Sequence, residues 1–126
     1  MLGSAAFTVI AKLLTMAGVS ADPDGVWDAF VDAMLAAGPA REGRSRYGDK
    51  PALFAGRREI AHLEPDGSID LRITQAGWVQ ARSDFAADPA VLREPGRRDW
   101  IELRPRHASD ITRLSALLAI ASAANA

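Results

Sequence analysis

The stretch Arg57–Ile73, RREIAHLEPDGSIDLRI, decides how this chain is read. Arg57 to Glu64 alternates in character, Pro65-Asp66-Gly67 supplies a three-residue loop with glycine where a left-handed residue is needed, and Ser68 to Ile73 returns antiparallel. With Glu64 paired to Ser68 across that loop, Leu63 falls opposite Ile69 and Ala61 opposite Leu71. That face is apolar and belongs to a core. The reverse face then carries His62 opposite Asp70, Glu64 opposite Ser68 and Ile60 opposite Arg72. A one-residue slip would bury the charges, which fixes the register.

Outward from this hairpin, Leu53 and Phe54 begin a short strand that ends in the turn Ala55-Gly56. Val91 to Glu94 and Asp99 to Arg104 flank the turn Pro95-Gly96-Arg97-Arg98 and form a second hairpin, ended by Pro105. Ile101 and Leu103 must face the core, so Trp100, Glu102 and Arg104 point away from it, with Arg93 across from Trp100. Between the hairpins Thr74 caps a helix in which Trp78, Ala81, Arg82 and Phe85 share a side. The last helix, capped by Ser109, carries Ile111, Leu114, Leu118 and Ala121 on one face.

Before the first strand, Phe7, Ile10, Leu13, Leu14 and Ala17 make a helical stripe that stops at Gly18. A second helix starts with Asp22 as N-cap and Pro23 at its first position, buries Trp27, Phe30, Val31 and Met34, and closes at Gly38-Pro39. Asp24, Asp28 and Asp32 line its opposite side and read as a solvated face. Ala40 to Lys50 is polar, bears glycine and has no periodicity, so it reads as a loop. The order ααβββαββα predicts an α+β fold: an antiparallel sheet of about five strands with helices on one face and the other open to water or a ligand. One domain over residues 1–126 is expected, a helical pair over 1–39 and the sheet with C-terminal helices over 47–126.

Composition supports one core. Of 126 residues 48% are hydrophobic, and 25 are alanine, which suits helices. The chain contains no cysteine, which excludes disulfides, a cysteine nucleophile and thiolate metal sites. Ala5 to Val19 is too short to span a bilayer and lacks the basic lead of a signal peptide, and a cytoplasmic location is expected. Thirteen of the 15 basic residues are arginine, yet the net charge is −1. Arginine's planar fork suits carboxylates and phosphates, whereas a net charge near zero disfavours a nucleic-acid backbone binder. The plainer account of the arginine and alanine excess is the codon bias of a GC-rich genome, and only clustering of the arginines decides against it.

If both hairpins share one sheet, the open face gathers His62, Glu64, Asp70, Arg58, Arg72, Trp100, Glu102 and Arg104, with Arg93 if the register holds. The plain reading is the wet face of an antiparallel sheet. The sharper one makes Trp100 a platform for a flat ligand and Arg58, Arg72, Arg93, Arg104, Glu64 and Glu102 its polar surround, unless the loop at Ala40 to Lys50 covers the tryptophan. His62 beside Asp70 is the pairing that orients an imidazole and raises its basicity for acid–base work, although no nucleophile or oxyanion donor accompanies it by spacing. His62, Glu64 and Asp70 also make a mixed nitrogen and oxygen set of the kind that ligates metals; ligands two apart on a strand recur by chance, and neither metal nor cofactor is expected. His107 reads as a capping or solvated residue. Gly56 and Gly67 are isolated turn glycines, so there is no phosphate-binding loop.

Tyr47-Gly48, Pro51 to Phe54, Gly56 to Leu63, Ile69 to Leu71 and Asp99 to Leu103, followed by a leucine-rich helix, resemble the luciferase-like domain family of small actinobacterial proteins. The resemblance runs from about Arg44 to Ala124, and its most specific part is Glu59-Ile60-Ala61-His62-Leu63. The family brings no general activity with it. Its members often have a second histidine two positions after the first; here that position is Glu64, which leaves His62 and Asp70 as the pair. The order of elements also resembles the YjbR-like proteins, whose fold is similar to frataxin's and some of which are suspected DNA binders.

Three functions follow as expectations. The first is a binding module holding a small acidic or aromatic molecule, or a segment of a protein partner, on the open face. The second is a cofactor-free isomerase or cyclase of secondary metabolism using His62 and Asp70. The third, nucleic-acid binding, is disfavoured by charge, and the oligomeric state is left open.

Overall fold

Six strands form one antiparallel sheet in the computed structural model, which describes residues 23–126. They are β1 (Arg41–Arg44), β2 (Pro51–Ala55), β3 (Arg58–Leu63), β4 (Ile69–Arg72), β5 (Val91–Leu92) and β6 (Trp100–Leu103), in the spatial order β1-β2-β3-β4-β6-β5. The helices are α1 (Pro23–Ala37), α2 (Gln75–Phe85), α3 (Ala108–Arg113) and α4 (Ser115–Ala124). The class is α+β, as the element order predicts. The stripe from Phe7 to Ala17 and the Asp22 cap lie outside the described residues.

One apolar layer holds the helices to the sheet. Trp27, Phe30 and Met34 of α1, Ala81 and Phe85 of α2, and Ile111, Leu114, Leu117 and Leu118 at the C-terminus bury against Leu53, Ala61, Leu63, Ile69, Leu71, Ile101 and Leu103. The helical residues recur at three- and four-residue spacing and the strand residues at two, so each element offers the layer a single face. Among the described residues no helix is long and apolar enough to cross a membrane.

The sixth strand arises where a loop is expected. β1 lies within the polar stretch 40–50, and its residues are mostly exposed because it is an edge strand. Charged side chains on an edge blunt pairing with other chains, and they also erase the alternation by which a strand is recognised. β1 is held by pairing with β2, from Arg41 opposite Phe54 to Arg44 opposite Pro51, and by Trp27, whose indole Nε1 donates to Glu42 at 2.9 Å. The sheet therefore begins at Arg41, ahead of residue 47.

Local signals are met elsewhere with two changes. Thr74 caps α2 by accepting from the Gly77 N–H at 3.0 Å, and its own backbone is left-handed at φ 66°, held by N–H bonds from Ile73 and Thr74 to the Asp99 carbonyl. The final helix is divided at Leu114, and Ser109 does not cap it. Asp110 does that work, its carboxylate accepting from the N–H groups of Arg106 and His107 at 2.8 and 3.1 Å. An ionised carboxylate reaching back from the first turn is a stronger acceptor there than a serine hydroxyl. Within α2, Arg82 is exposed rather than packed on the apolar side.

Candidate functional site

The central register is the one the loop predicts. Ala61 pairs with Leu71, His62 with Asp70 and Leu63 with Ile69, and the β6 partners follow with Glu102 opposite Asp70 and Trp100 opposite Arg72. Ala52, His62, Asp70, Glu102 and Leu92 thus form one row across five strands. Side chains alternate between sheet faces, so the row turns away from the helices. Ala52 is small, and Ser45 and Tyr47 reach over this part of the sheet from the β1–β2 turn.

One residue of β3 departs from the expected face, and the departure builds the site. Leu53 pairs with Ala61 but Phe54 pairs with Glu59, so Ile60 is an extra residue, a β-bulge. Ile60 consequently joins Ala61 in the core at 1% exposure instead of lying on the open face opposite Arg72. Parity before the bulge is inverted, which swings Glu59 onto the face of His62. Glu59 is buried there: its carboxylate accepts from the Ser45 hydroxyl at 2.8 Å and from the Arg46 N–H at 2.6 Å.

His62 is 7% exposed and stands among three carboxylates. Nε2 lies 2.7 Å from Glu64 Oε1 and 3.0 Å from Asp70 Oδ2. Nδ1 lies 2.9 Å from Glu59 Oε2, but off the N–H direction, so that pair is an electrostatic contact and no hydrogen bond. Burial alone would lower the histidine pKa; hydrogen bonds and charge from Asp70, then Glu64, overcome it and leave it raised. Burial raises Glu64 as well, reinforced by the neighbouring Asp70. Asp70 is held down at about 2, because hydrogen bonds from His62 and Arg97 outweigh its own burial.

Two aromatic rings flank the imidazole. The Tyr47 ring centroid is 5.5 Å from it and that of Trp100 5.6 Å, both tilted. Tyr47, His62, Asp70, Arg97, Arg98 and Trp100 line a cleft of about 550 Å³. Arg97 spans it, donating to Asp70 Oδ2 at 3.2 Å with its guanidinium 5.9 Å from the Trp100 ring. An adjoining groove of about 700 Å³ is lined by Arg46, Arg57, Arg58 and Arg72, with Tyr47, Glu59 and Trp100 shared or nearby.

The expected set is therefore brought together unevenly. His62, Glu64, Asp70, Glu102, Trp100 and Arg72 share the face, and Arg58 joins the arginine groove from the exposed end of β3. Arg72 is tied to Asn125 Oδ1 at 2.6 Å and Asp99 Oδ2 at 3.4 Å. Arg104 is exposed and donates to Glu102 at 2.8 Å. Arg93 lies elsewhere. Leu92 pairs with Glu102, which leaves Arg93 on the opposite parity from Trp100, and its guanidinium sits 5.4 Å from the ring of Trp78 on α2. The residues that sequence reasoning passes over are Glu59, Ser45, Tyr47 and Arg97. Glu59 and Tyr47 leave a trace: both lie in the segments that carry the family resemblance, and beside Glu59 the adjacent apolar pair Ile60-Ala61 interrupts an alternating strand.

These features define a small α+β protein with a histidine–carboxylate centre at the base of an aromatic cleft, set on the sheet face that the helices leave free. The family model described as Luciferase domain matches residues 57–121, just over half the chain, and covers the bulge, His62, Asp70 and Trp100. The chain belongs to this family. No curated protein and no solved structure is significantly similar to it.

Proposed function

We propose that the open face binds a small, flat, acidic molecule, its ring in the cleft against Tyr47, His62 and Trp100 and its charge toward the arginine groove. The observation that carries this reading is the pair of aromatic rings, each about 5.5 Å from His62, that line a cleft of about 550 Å³ with it. Concave sites with aromatic walls and a few convergent polar groups are the usual form of small-molecule sites. Arginines at the rim favour an anion, and Tyr47, at 74% exposure, has surface left to cover. A second reading, proton transfer by His62 held by Asp70, is favoured by the raised basicity of the ring.

A thermal-shift titration with benzoate and 2-naphthoate tests the first reading. Wild type is expected to gain stability with ligand, Trp100→Ala to lose that gain, and Arg93→Ala to keep it. Equal stabilisation of wild type and Trp100→Ala would place the ligand elsewhere. Deuterium exchange into an arylacetate probe in heavy water separates catalysis from binding: exchange by wild type but not by His62→Ala marks proton transfer, and none by either limits the face to binding.

A further inference from the structure

We infer that His62 Nε2, Glu64 and Asp70 form a binding site for a first-row divalent metal ion, with Glu59 as the carboxylate behind the histidine. This goes beyond ligand binding in the cleft and stands without it.

Donors and acceptors around Nε2 do not match in number. Nε2 carries at most one hydrogen, yet two carboxylate oxygens from either side of the β3–β4 loop lie 2.7 and 3.0 Å away. A single N–H satisfies one of them well. The three candidate ligand atoms lie within 4.8 Å of one another, close enough to surround one cation. A second observation comes from the other side of the ring. His62 is buried, and its Nδ1 makes no hydrogen bond but lies 2.9 Å from Glu59 Oε2, within a small ring rotation of donating to it. Metal-bound histidines ordinarily turn their free nitrogen toward a carboxylate that is itself held, which fixes the ring and its tautomer. Glu59 is held in that way by Ser45 and Arg46. A cation that displaced the Nε2 proton would lie between the Nε2 lone pair and the two carboxylates, and would leave the ring's remaining proton on Nδ1 beside Glu59.

The donor set selects the class. One imidazole and two carboxylates suit manganese, iron or zinc in the divalent state, whereas calcium and magnesium favour oxygen alone. Glu64 and Asp70 also border a separate recess of about 460 Å³, which gives water access to the site. Arg97 offsets the single negative charge of Asp70 and limits the net charge an ion must balance.

Isothermal titration of chelator-treated protein with Zn²⁺ and Mn²⁺ at pH 7.5 tests the site. One ion per chain is expected in wild type, with affinity lost in Glu64→Gln and in Asp70→Asn and weakened about 10- to 100-fold in Glu59→Gln. Trp100→Ala should bind metal like wild type, so failure of the aromatic cleft and failure of the metal site are distinguishable. Substoichiometric Mn²⁺ added to wild type provides a check that needs no variant: amide NMR signals around residues 62–64 and 68–70 should broaden before those of α1. Absence of binding, retention of full affinity in both carboxylate variants, or broadening centred elsewhere would each overturn the assignment.

Discussion

Glu59 shows how much one side chain organises here. At 6% exposure it accepts from Ser45 and Arg46 and stands against His62, so it joins the β1–β2 turn to the centre of the sheet. Glu59→Ala removes the acceptor for two donors and leaves them partly enclosed. A buried group left without its partner costs about 1–3 kcal/mol, so urea denaturation should show a loss in that range. A loss below about 0.5 kcal/mol, the scale of ordinary surface substitutions, would mean that the turn is held in some other way. Arg97 has a comparable reach, from the 93–99 loop to Asp70. Its position depends on a tight turn in which Gly96 adopts φ 87°, and no periodicity in the sequence encodes where such a loop points.

At the scale of elements, α3 is six residues long, too short to persist without its end contacts. Asp110 supplies them. Its burial would raise its pKa, but the N–H groups of Arg106 and His107, and then Arg113, draw it below the ordinary 3.8. A depressed carboxylate contributes stability above its unfolded value and loses that contribution as pH falls through the folded one. Asp110→Ala should therefore cost about 1 kcal/mol near neutral pH, and the gap to wild type should close as pH drops below 3.8. Absence of a gap at neutral pH would assign the cap to another group. From Ala61 to Leu71 the β3–β4 hairpin is legible residue by residue, because Pro65-Asp66-Gly67 sets the loop and the apolar faces admit one register. β1 is not, since Arg41, Glu42 and Arg44 bury no apolar stripe and are recognisable as a strand only through their partners in β2. The bulge at Ile60 is half-legible. Its apolar doublet is visible in the sequence, but the neighbouring strand decides whether the doublet bends the chain or flips a face. Arg93 is misplaced because β5 and β6 pair one residue out of the register that a tight Pro95–Arg98 turn implies, Leu92 with Glu102, which turns the next side chain to the helix side.

Across the whole molecule, the two sheet faces divide the labour. The helix-bearing face holds the apolar layer, and the free face collects acidic groups at its centre with arginines along the cleft and groove. The net charge of −1 conceals this separation, because the acidic centre and basic rim nearly cancel in the sum. The division makes the three tryptophans a natural reporter. Trp27 is in the core, Trp78 packs against it beneath Arg93, and Trp100 stands at the cleft beside His62. The most direct measurement is the NMR titration of wild-type protein with 2-naphthoate, following the three indole N–H signals. The account predicts saturable movement of the Trp100 signal, accompanied by the amides of Tyr47, Arg97 and Arg98, while Trp27 and Trp78 stay in place. Movement of Trp27 or Trp78 with Trp100 unchanged, or no movement of any indole at saturating probe, would contradict it.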